Sequence, residues 1–408
     1  MERPTVLLAM PHAEAAAQSE LLIRSGFEPI IDLEAALARL QAGERPDLAV
    51  LDCDLPAEEG VALYARLHGV NPVPTLLLFG DVLPEFSADA VGSTVADEYA
   101  MKPVPGEALV YRLQALLIKS GRGVPTDAGG WTETTSGDGS SIGEAHVMSV
   151  FAPKGGVGKT TIALNLAVAL REQTHSRVLL FDADVGVGNV TAMLAVPYRM
   201  GLADLADSPT EEWTDSAFEQ CVSTHEETGV RVLTWGNEPG ESERIGVDLL
   251  LAALRWAKSH HSFVVIDNHP GYDDRTMAML TVANEIFLVV TPEVGPLRNS
   301  AQFLELARQV GLNDLVKVIV NRANHGIGQA AISEALGVPI AASIVSNGPK
   351  AVMAANEGTP VIRKFPRERI STDLHGVARL VTKGKGTEAA GTARRSWWSS
   401  LVSRTSNA

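Results

Sequence analysis

Residues 152–161 read A-P-K-G-G-V-G-K-T-T. The glycines and the run Gly158-Lys159-Thr160 form a candidate phosphate-binding loop, and the rest of the chain is read from it. An apolar strand pattern, VMSVF at 147–151, precedes the loop, and a helix pattern, TTIALNLAVALRE at 160–172, follows it. That context is what the chemistry needs. Glycines let backbone N–H groups approach phosphate oxygens, and the helix N-terminus adds partial positive charge. On this reading Lys159 contacts the β- and γ-phosphates of a nucleotide, and the Thr160 hydroxyl ligates Mg²⁺. Two features depart from the usual G-x-x-x-x-G-K-[ST]: Pro153 stands where the first glycine belongs, and Lys154 is an extra cation inside the loop.

Around the loop, apolar strands alternate with helical patterns. RVLLFDAD, SFVVIDN, EIFLVVT, VKVIVN and PIAASIV read as strands, with DLLLAALRWAKS and RNSAQFLELARQVG as helices between them. Strands that are apolar throughout imply a mostly parallel sheet covered on both faces. Ligands then bind beyond the C-terminal strand ends. The first 119 residues alternate in the same way on a smaller scale. Strands are expected at Val6–Met10, Leu48–Asp52, Thr75–Phe79 and near Val95–Tyr99, with helices at AEAAAQSELLIRSG and LEAALARLQAG. Residues 120–145, rich in Gly, Ser and Thr, read as a flexible linker with a root-mean-square span of roughly 25–30 Å. KGKGTEAAGTARR, 383–395, reads as a second linker ahead of a short tail.

At 408 residues the chain has room for two or three domains. No run of eighteen apolar residues predicts a spanning helix, and the polar start MERPTVLLAMPHAEAAAQ predicts no signal peptide. Two cysteines, Cys53 and Cys221, are too few for a disulfide framework, so a reducing cytoplasm is the expected compartment. A net charge of −15 argues against general nucleic-acid binding, which needs a patch of Lys and Arg. The acid is uneven. Residues 1–120 hold 8 Lys and Arg against 18 Asp and Glu, whereas 381–408 hold 5 basic residues against Glu388 alone. Different partners are expected at the two ends.

The run K-G-G-x-G-K-T, matched at Lys154, Gly155, Gly156, Val157, Gly158, Lys159 and Thr160, with Thr161 next, resembles the deviant phosphate loop of the MinD/ParA (SIMIBI) superfamily. The resemblance implies ATP and Mg²⁺, and an ATP-dependent homodimer in which Lys154 reaches the nucleotide held by the other subunit. Pro153 lies outside the deviant core. FDADVGVGN, 181–189, resembles the D-x-D switch segment, which implies that Asp184 orients or deprotonates the attacking water and that Asp182 holds Mg²⁺-bound water. Two solvated acids at a strand end are the plainer alternative. FVVIDNHPG, 263–271, resembles the Walker B strand, with Asp267 near the metal. The family usually has Thr-Pro or a similar small pair next, where this chain has Asn268 and His269, and that departure bears on turnover rate. His269 reads as either a distal ligand or a surface turn histidine. Asn321, ending VKVIVN, matches the residue that reads the adenine edge, or is simply an Asn at a strand end.

Residues 1–119 resemble a response-regulator receiver, a doubly wound (βα)5 domain. PDLAVLDCDLPAEEG places Asp52 as phosphoacceptor, and DEYAMKPV places Lys102 as the receiver lysine. The Mg²⁺-binding acids that should end the first strand are missing from LLAMPH, and LLLFGD has Phe79 where receivers have Ser or Thr. A hard cation needs several oxygens. The segment therefore reads as a pseudo-receiver that is not phosphorylated and in which Asp52 pairs with Lys102. In the tail, RRSWWSSLVSR at 394–404, Trp397, Trp398, Leu401 and Val402 share one helical arc of about 140°. Arg394, Arg395 and Arg404 add positive charge. The tail reads as an interfacial anchor on the inner membrane, a protein-docking peptide or a disordered end.

A receiver-like domain (1–119), a linker (120–145), a MinD/ParA-type P-loop domain with a mostly parallel sheet (146–382) and a basic tail (383–408) together resemble the CpaE/TadZ family. That implies a slow ATPase that positions the assembly machinery of tight-adherence (Flp) pili, with pilus or secretion assembly proteins as partners. The alternatives are a MinD-like septum-site regulator, a scaffold that holds ATP without hydrolysing it, and a DNA-partition ATPase, which the charge disfavours.

Overall fold

The central strands of the larger sheet are short, apolar and buried, so each is stable only when neighbours cover both of its faces, and the fold follows from that demand. The computed structural model describes residues 3–31, 45–52, 67, 73–79, 98–104, 106–120, 124–125, 131–132 and 145–388.

The first sheet contains β1 (Thr5–Ala9), β2 (Glu28–Ile30), β3 (Leu48–Asp52), β4 (Thr75–Phe79) and β5 (Glu98–Met101), all parallel, in the order β2-β1-β3-β4-β5. This is a doubly wound order with its switch point at β1 and β3. Helices α1 (His12–Arg24) and α2 (Gly106–Lys119) flank it. Its core joins Val6, Leu8, Leu22, Phe27, Leu76 and Leu113, among others. β5, described from Glu98 to Met101, overlaps the strand expected near Val95–Tyr99 and pairs with β4 from Leu76↔Glu98, and residues 95–97 lie outside the described residues. The helix expected at LEAALARLQAG lies outside the described residues.

In the stretch read as a linker, β6 (Val124–Pro125) and β7 (Trp131–Thr132) form an antiparallel pair, a local ladder that composition does not reveal. Residues 121–123, 126–130 and 133–144 of that stretch lie outside the described residues.

The second sheet has eight strands: β8 (His146–Phe151), β9 (Val178–Ala183), β10 (Val222–His225), β11 (Val230–Thr234), β12 (Phe263–Asn268), β13 (Glu285–Val290), β14 (Val316–Asn321) and β15 (Ile340–Ile344). The order is β10-β11-β9-β12-β8-β13-β14-β15, parallel except for the β10–β11 pair. The chain runs outward from β8 to β9, returns to insert β12 between them, and then crosses to β13. The crevice beyond the C-terminal ends of β8, β9 and β12 is therefore the expected ligand site. Helix α3 (Lys159–Thr174) is buried from Ile162 to Leu170 without a break, because the sheet covers one side and α7 (Arg369–Glu388) lies on the other. A helix apolar all round belongs in that position. The opposite sheet face carries α4 (Val247–His260), α5 (Asp274–Thr281) and α6 (Val294–Gln309) over a second core.

α7 continues to Glu388, past the linker boundary expected at 383. Glycine costs a helix only about 1 kcal/mol per residue, and a helix already anchored on α3 extends without a new nucleation step. The tail at 394–404 lies outside the described residues.

Among the described residues, polar contacts of Arg112 tie the two sheets together. Arg112 of α2, 5% exposed, donates from Nε to the Gln309 carbonyl at 2.5 Å and from Nη2 to the Arg308 carbonyl at 3.1 Å. A fixed cation at a helix C-terminus satisfies carbonyls that have no partner within the helix. Beside it, α2 and α5 enclose a cavity of about 20 Å³, room for about one water. Arg112→Ala is expected to cost about 1.5–3 kcal/mol at this seam, the usual range for hydrogen bonds to a charged group. Calorimetry should then resolve a separate, earlier transition for the first sheet. A single unchanged transition would show that the contact contributes nothing.

Candidate functional site: a phosphate cradle beside two acidic strand ends

The loop after β8 is shaped by two glycines in the left-handed region, Gly156 (φ 77°) and Gly158 (φ 95°). At Gly158 the requirement is double, because a Cβ would also lie 2.4 Å from Asn321 Nδ2. Val157 is buried between them and pins the loop to the core. Lys159 is the first residue of α3 and is buried, whereas Lys154, Gly155 and Gly156 are exposed. The two lysines therefore face different surroundings. Lys159 belongs to its own loop, and Lys154 stands outside it, its Nζ 3.7 Å from where a Cβ on Gly295 would lie, in the first turn of α6. Thr160 and Thr161 follow in the first turn of α3.

Asn321, at the end of β14, donates from Nδ2 to the Val157 carbonyl at 2.8 Å and accepts the Arg322 N–H at 2.9 Å. In this structure its amide braces the loop. Arg322, in the left-handed region at φ 57°, donates from Nη2 to the Gly156 carbonyl at 2.9 Å. No sequence signal marked Arg322, since a lone arginine after a strand carries no pattern.

Opposite the loop, the in-register pair Asp182↔Asp267 brings two carboxylates side by side at the ends of β9 and β12. Both are buried. Asp182 accepts the N–H groups of Asp184 (3.2 Å) and Val190 (3.3 Å), and a Cβ on Gly188 would lie 2.4 Å from either of its oxygens. Both oxygens of Asp267 are buried with no partner at hydrogen-bonding distance and geometry. Burial, followed by the like charge of Asp267, holds the Asp182 carboxyl well above its ordinary range, against the pull of the Val190 and Asp184 N–H groups. Burial pushes Asp267 up to about 7, although the nearby Thr160 hydroxyl and Lys159 pull it down.

Such a pair, when ionised, is stabilised by a cation. Among the described residues no cluster of three or more His, Cys, Asp or Glu could hold a metal alone. Mg²⁺ is characteristically held by one or two carboxylates together with substrate phosphates, and the two acids, Thr160 and the loop fit that division of labour. A bound Mg²⁺ would supply positive charge to the phosphate oxygens.

The two residues after Asp267 point in different directions. Asn268 is buried and donates from Nδ2 to Ser149 Oγ (2.6 Å) and the Val150 carbonyl (3.2 Å), which ties β12 to β8. His269 turns to β9 instead, and its Nδ1 lies 2.7 Å from Asp184 Oδ1. His269, expected as a distal ligand or a surface turn residue, is half-buried and bound to Asp184.

In the first sheet, Lys102 Nζ lies 2.8 Å from both oxygens of buried Asp52 at the C-terminal edge, and the Lys102–Pro103 peptide is cis.

Residues 148–361 match the model of the CobQ/CobB/MinD/ParA nucleotide binding domain. A putative septum site-determining protein MinD from Emiliania huxleyi is 28% identical over 231 residues, 53% of this chain and 80% of that protein. The septum site-determining protein MinD of Thermotoga maritima is 25% identical over 251 residues, 59% of this chain and 89% of its own length. Among solved structures, the MinD of Pyrococcus horikoshii complexed with Mg-ADP superposes with a TM-score of 0.53 at 25% identity, covering 60% of this chain and 98% of that one.

Proposed function

Because the chain belongs to the CobQ/CobB/MinD/ParA nucleotide-binding family of P-loop ATPases, we propose that it is an ATP-dependent dimerising localisation switch of the CpaE/TadZ type. Its task is to position the machinery that assembles Flp pili, with slow hydrolysis. The ATP-binding set is Lys154 to Thr161, with Asn321 bracing the loop. Asp182, Asp267 and Thr160 serve Mg²⁺, and Asp184 serves the attacking water.

The observation that carries the pilus reading is the first sheet, with Asp52 closed on Lys102. The MinD relatives cover 53–59% of this chain, so a MinD function alone gives no account of a second doubly wound unit. We read that unit, residues 1–119, as a pseudo-receiver, a reading supported by the 2.8 Å pair between Asp52 and Lys102 and by Met10 after β1, where a receiver needs acid. We assign it a docking role toward assembly proteins, with no phosphoryl transfer. Acetyl phosphate with Mg²⁺ is therefore expected to leave the intact mass unchanged. A stoichiometric adduct that Asp52→Asn abolishes would overturn that assignment.

Septum-site regulation is the second reading, supported by the named MinD relatives. Among the described residues no helix is long and apolar enough to cross a membrane. The 394–404 tail is proposed as a peripheral contact that strengthens in the dimer, where two tails share one surface. Deleting the gene separates the two readings. Loss of surface pili with evenly placed septa supports the pilus role, and misplaced septa with normal piliation would replace it with the septum role.

A further inference from the structure

We infer that His269 is a positioning residue for Asp184, holding one carboxylate oxygen so that the other faces the attacking water. The inference rests on the reading of Asp184 as the acid that serves that water.

The geometry is specific. Asp184 lies in the turn after β9, where its backbone carbonyl accepts the N–H groups of Val187 (3.1 Å) and Gly188 (2.7 Å). The backbone is thereby fixed, but an aspartate side chain on a turn still has a choice of rotamers. His269 settles that choice. Asn268 is locked into the sheet by Ser149 and Val150, so the next residue leaves β12 at a defined place. The His269 ring then meets Asp184 Oδ1 at 2.7 Å. A carboxylate only accepts, so Nδ1 carries the proton and donates. Oδ1 is thereby engaged and Oδ2 remains for water. In the step itself the water oxygen bonds to the γ-phosphorus, the bond from that phosphorus to the β–γ bridging oxygen breaks, and ADP departs. One water proton passes to Asp184 Oδ2. Fixing a reacting group within a fraction of an ångström is worth as much as 10²-fold in rate. In this chain that work falls to His269.

The test uses the full chain with Mg-ATP, reading kcat and KM separately, in wild type, His269→Ala, His269→Asn, His269→Gln, Asp184→Asn and the double variant His269→Ala/Asp184→Asn. The expected result is a fall in kcat of about 10- to 100-fold for His269→Ala with KM unchanged. His269→Asn should recover most of the rate, because its amide nitrogen stands where Nδ1 stood, and His269→Gln should recover less. In the Asp184→Asn background the loss of His269 should add nothing, since a residue acting through another shows full coupling to it.

A low rate in Asp184→Asn together with a wild-type rate in His269→Ala would overturn the inference and leave the role of Asp184 standing. A wild-type rate in Asp184→Asn would remove both. A faster His269→Ala would show that the contact restrains Asp184 and does not serve it. Additive losses, or a change in KM alone, would place His269 in a role independent of Asp184. Each of these results overturns the inference.

Discussion

With Mg-ATP the wild-type protein should pass from monomer to dimer, Lys154→Ala should stay monomeric, and Asp184→Ala should remain locked as a dimer. The argument starts from the unequal burial of the two loop lysines. Lys159, buried at the start of α3, is positioned for the phosphates of its own loop. Lys154 is exposed and lies toward α6, where its charge is available to a second molecule. The surrounding edge is apolar for a free surface: Val294 is 76% exposed, Val187 61% and Tyr272 42%. One follows β13, one follows β9 and one follows β12, so all three rim the strand ends that carry the site. Two copies meeting there would cover these side chains and bring each Lys154 to the other's phosphates. Nucleotide binding and dimerisation then share one coupling free energy, for which 1–3 kcal/mol is typical. Removing Lys154 should therefore raise the dimer dissociation constant by about 5- to 150-fold. Light scattering across a concentration series reads it directly. Normal dimerisation of Lys154→Ala would eliminate the cross-subunit mechanism. A monomeric wild type in saturating Mg-ATP would remove the dimer itself.

The parts of this site legible in the sequence are those built from contiguous residues. The glycine positions and Lys159 can be read because a phosphate loop needs them at fixed spacing between a strand and a helix. Asp182 and Asp267 can be read because each terminates an apolar run, and parallel strands that end together bring their last residues together. The Asp52–Lys102 pair follows in the same way from two strand ends of one small sheet. His269, Arg322 and Arg112 could not be read. Each acts through contacts to residues 85 to 197 positions away, and no periodicity records such contacts. Arg112 lies among leucines and valines on α2, where a charged residue is ordinarily the solvent-facing one. The two stretches expected as linkers have a linker's composition. Composition averages over a two-residue ladder and overstates the power of glycine to stop a helix that tertiary contacts already hold.

Asp267→Asn should melt at a higher temperature than wild type at pH 8 without nucleotide, and the order should reverse when Mg-ATP is added. Asp267 and Asp182 face each other in the interior, and burial raises both. A carboxyl whose value is higher in the folded state binds its proton more tightly there. Its contribution thus favours the fold fully below the ordinary value of 3.8 and is lost as pH rises through about 7. For Asp267 alone the difference amounts to roughly 4 kcal/mol at pH 8. Asparagine keeps the shape and removes the charge, so it escapes this loss. Its margin over wild type should shrink steadily as the pH is lowered from 8 toward 5, where the wild-type carboxyl is largely protonated. Mg-ATP acts on the other side of the balance. A ligand that binds only the folded state stabilises it in proportion to the logarithm of its saturation, and the charge of Asp267 is what a cation at this site requires. The asparagine variant should therefore gain little from Mg-ATP while wild type gains several degrees. Calorimetry at pH 5, 6.5 and 8, with and without Mg-ATP, provides the comparison. If Asp267→Asn is less stable than wild type at pH 8 without nucleotide, the buried charge is already compensated within the fold. If it gains as much as wild type from Mg-ATP, Asp267 takes no part in holding the metal.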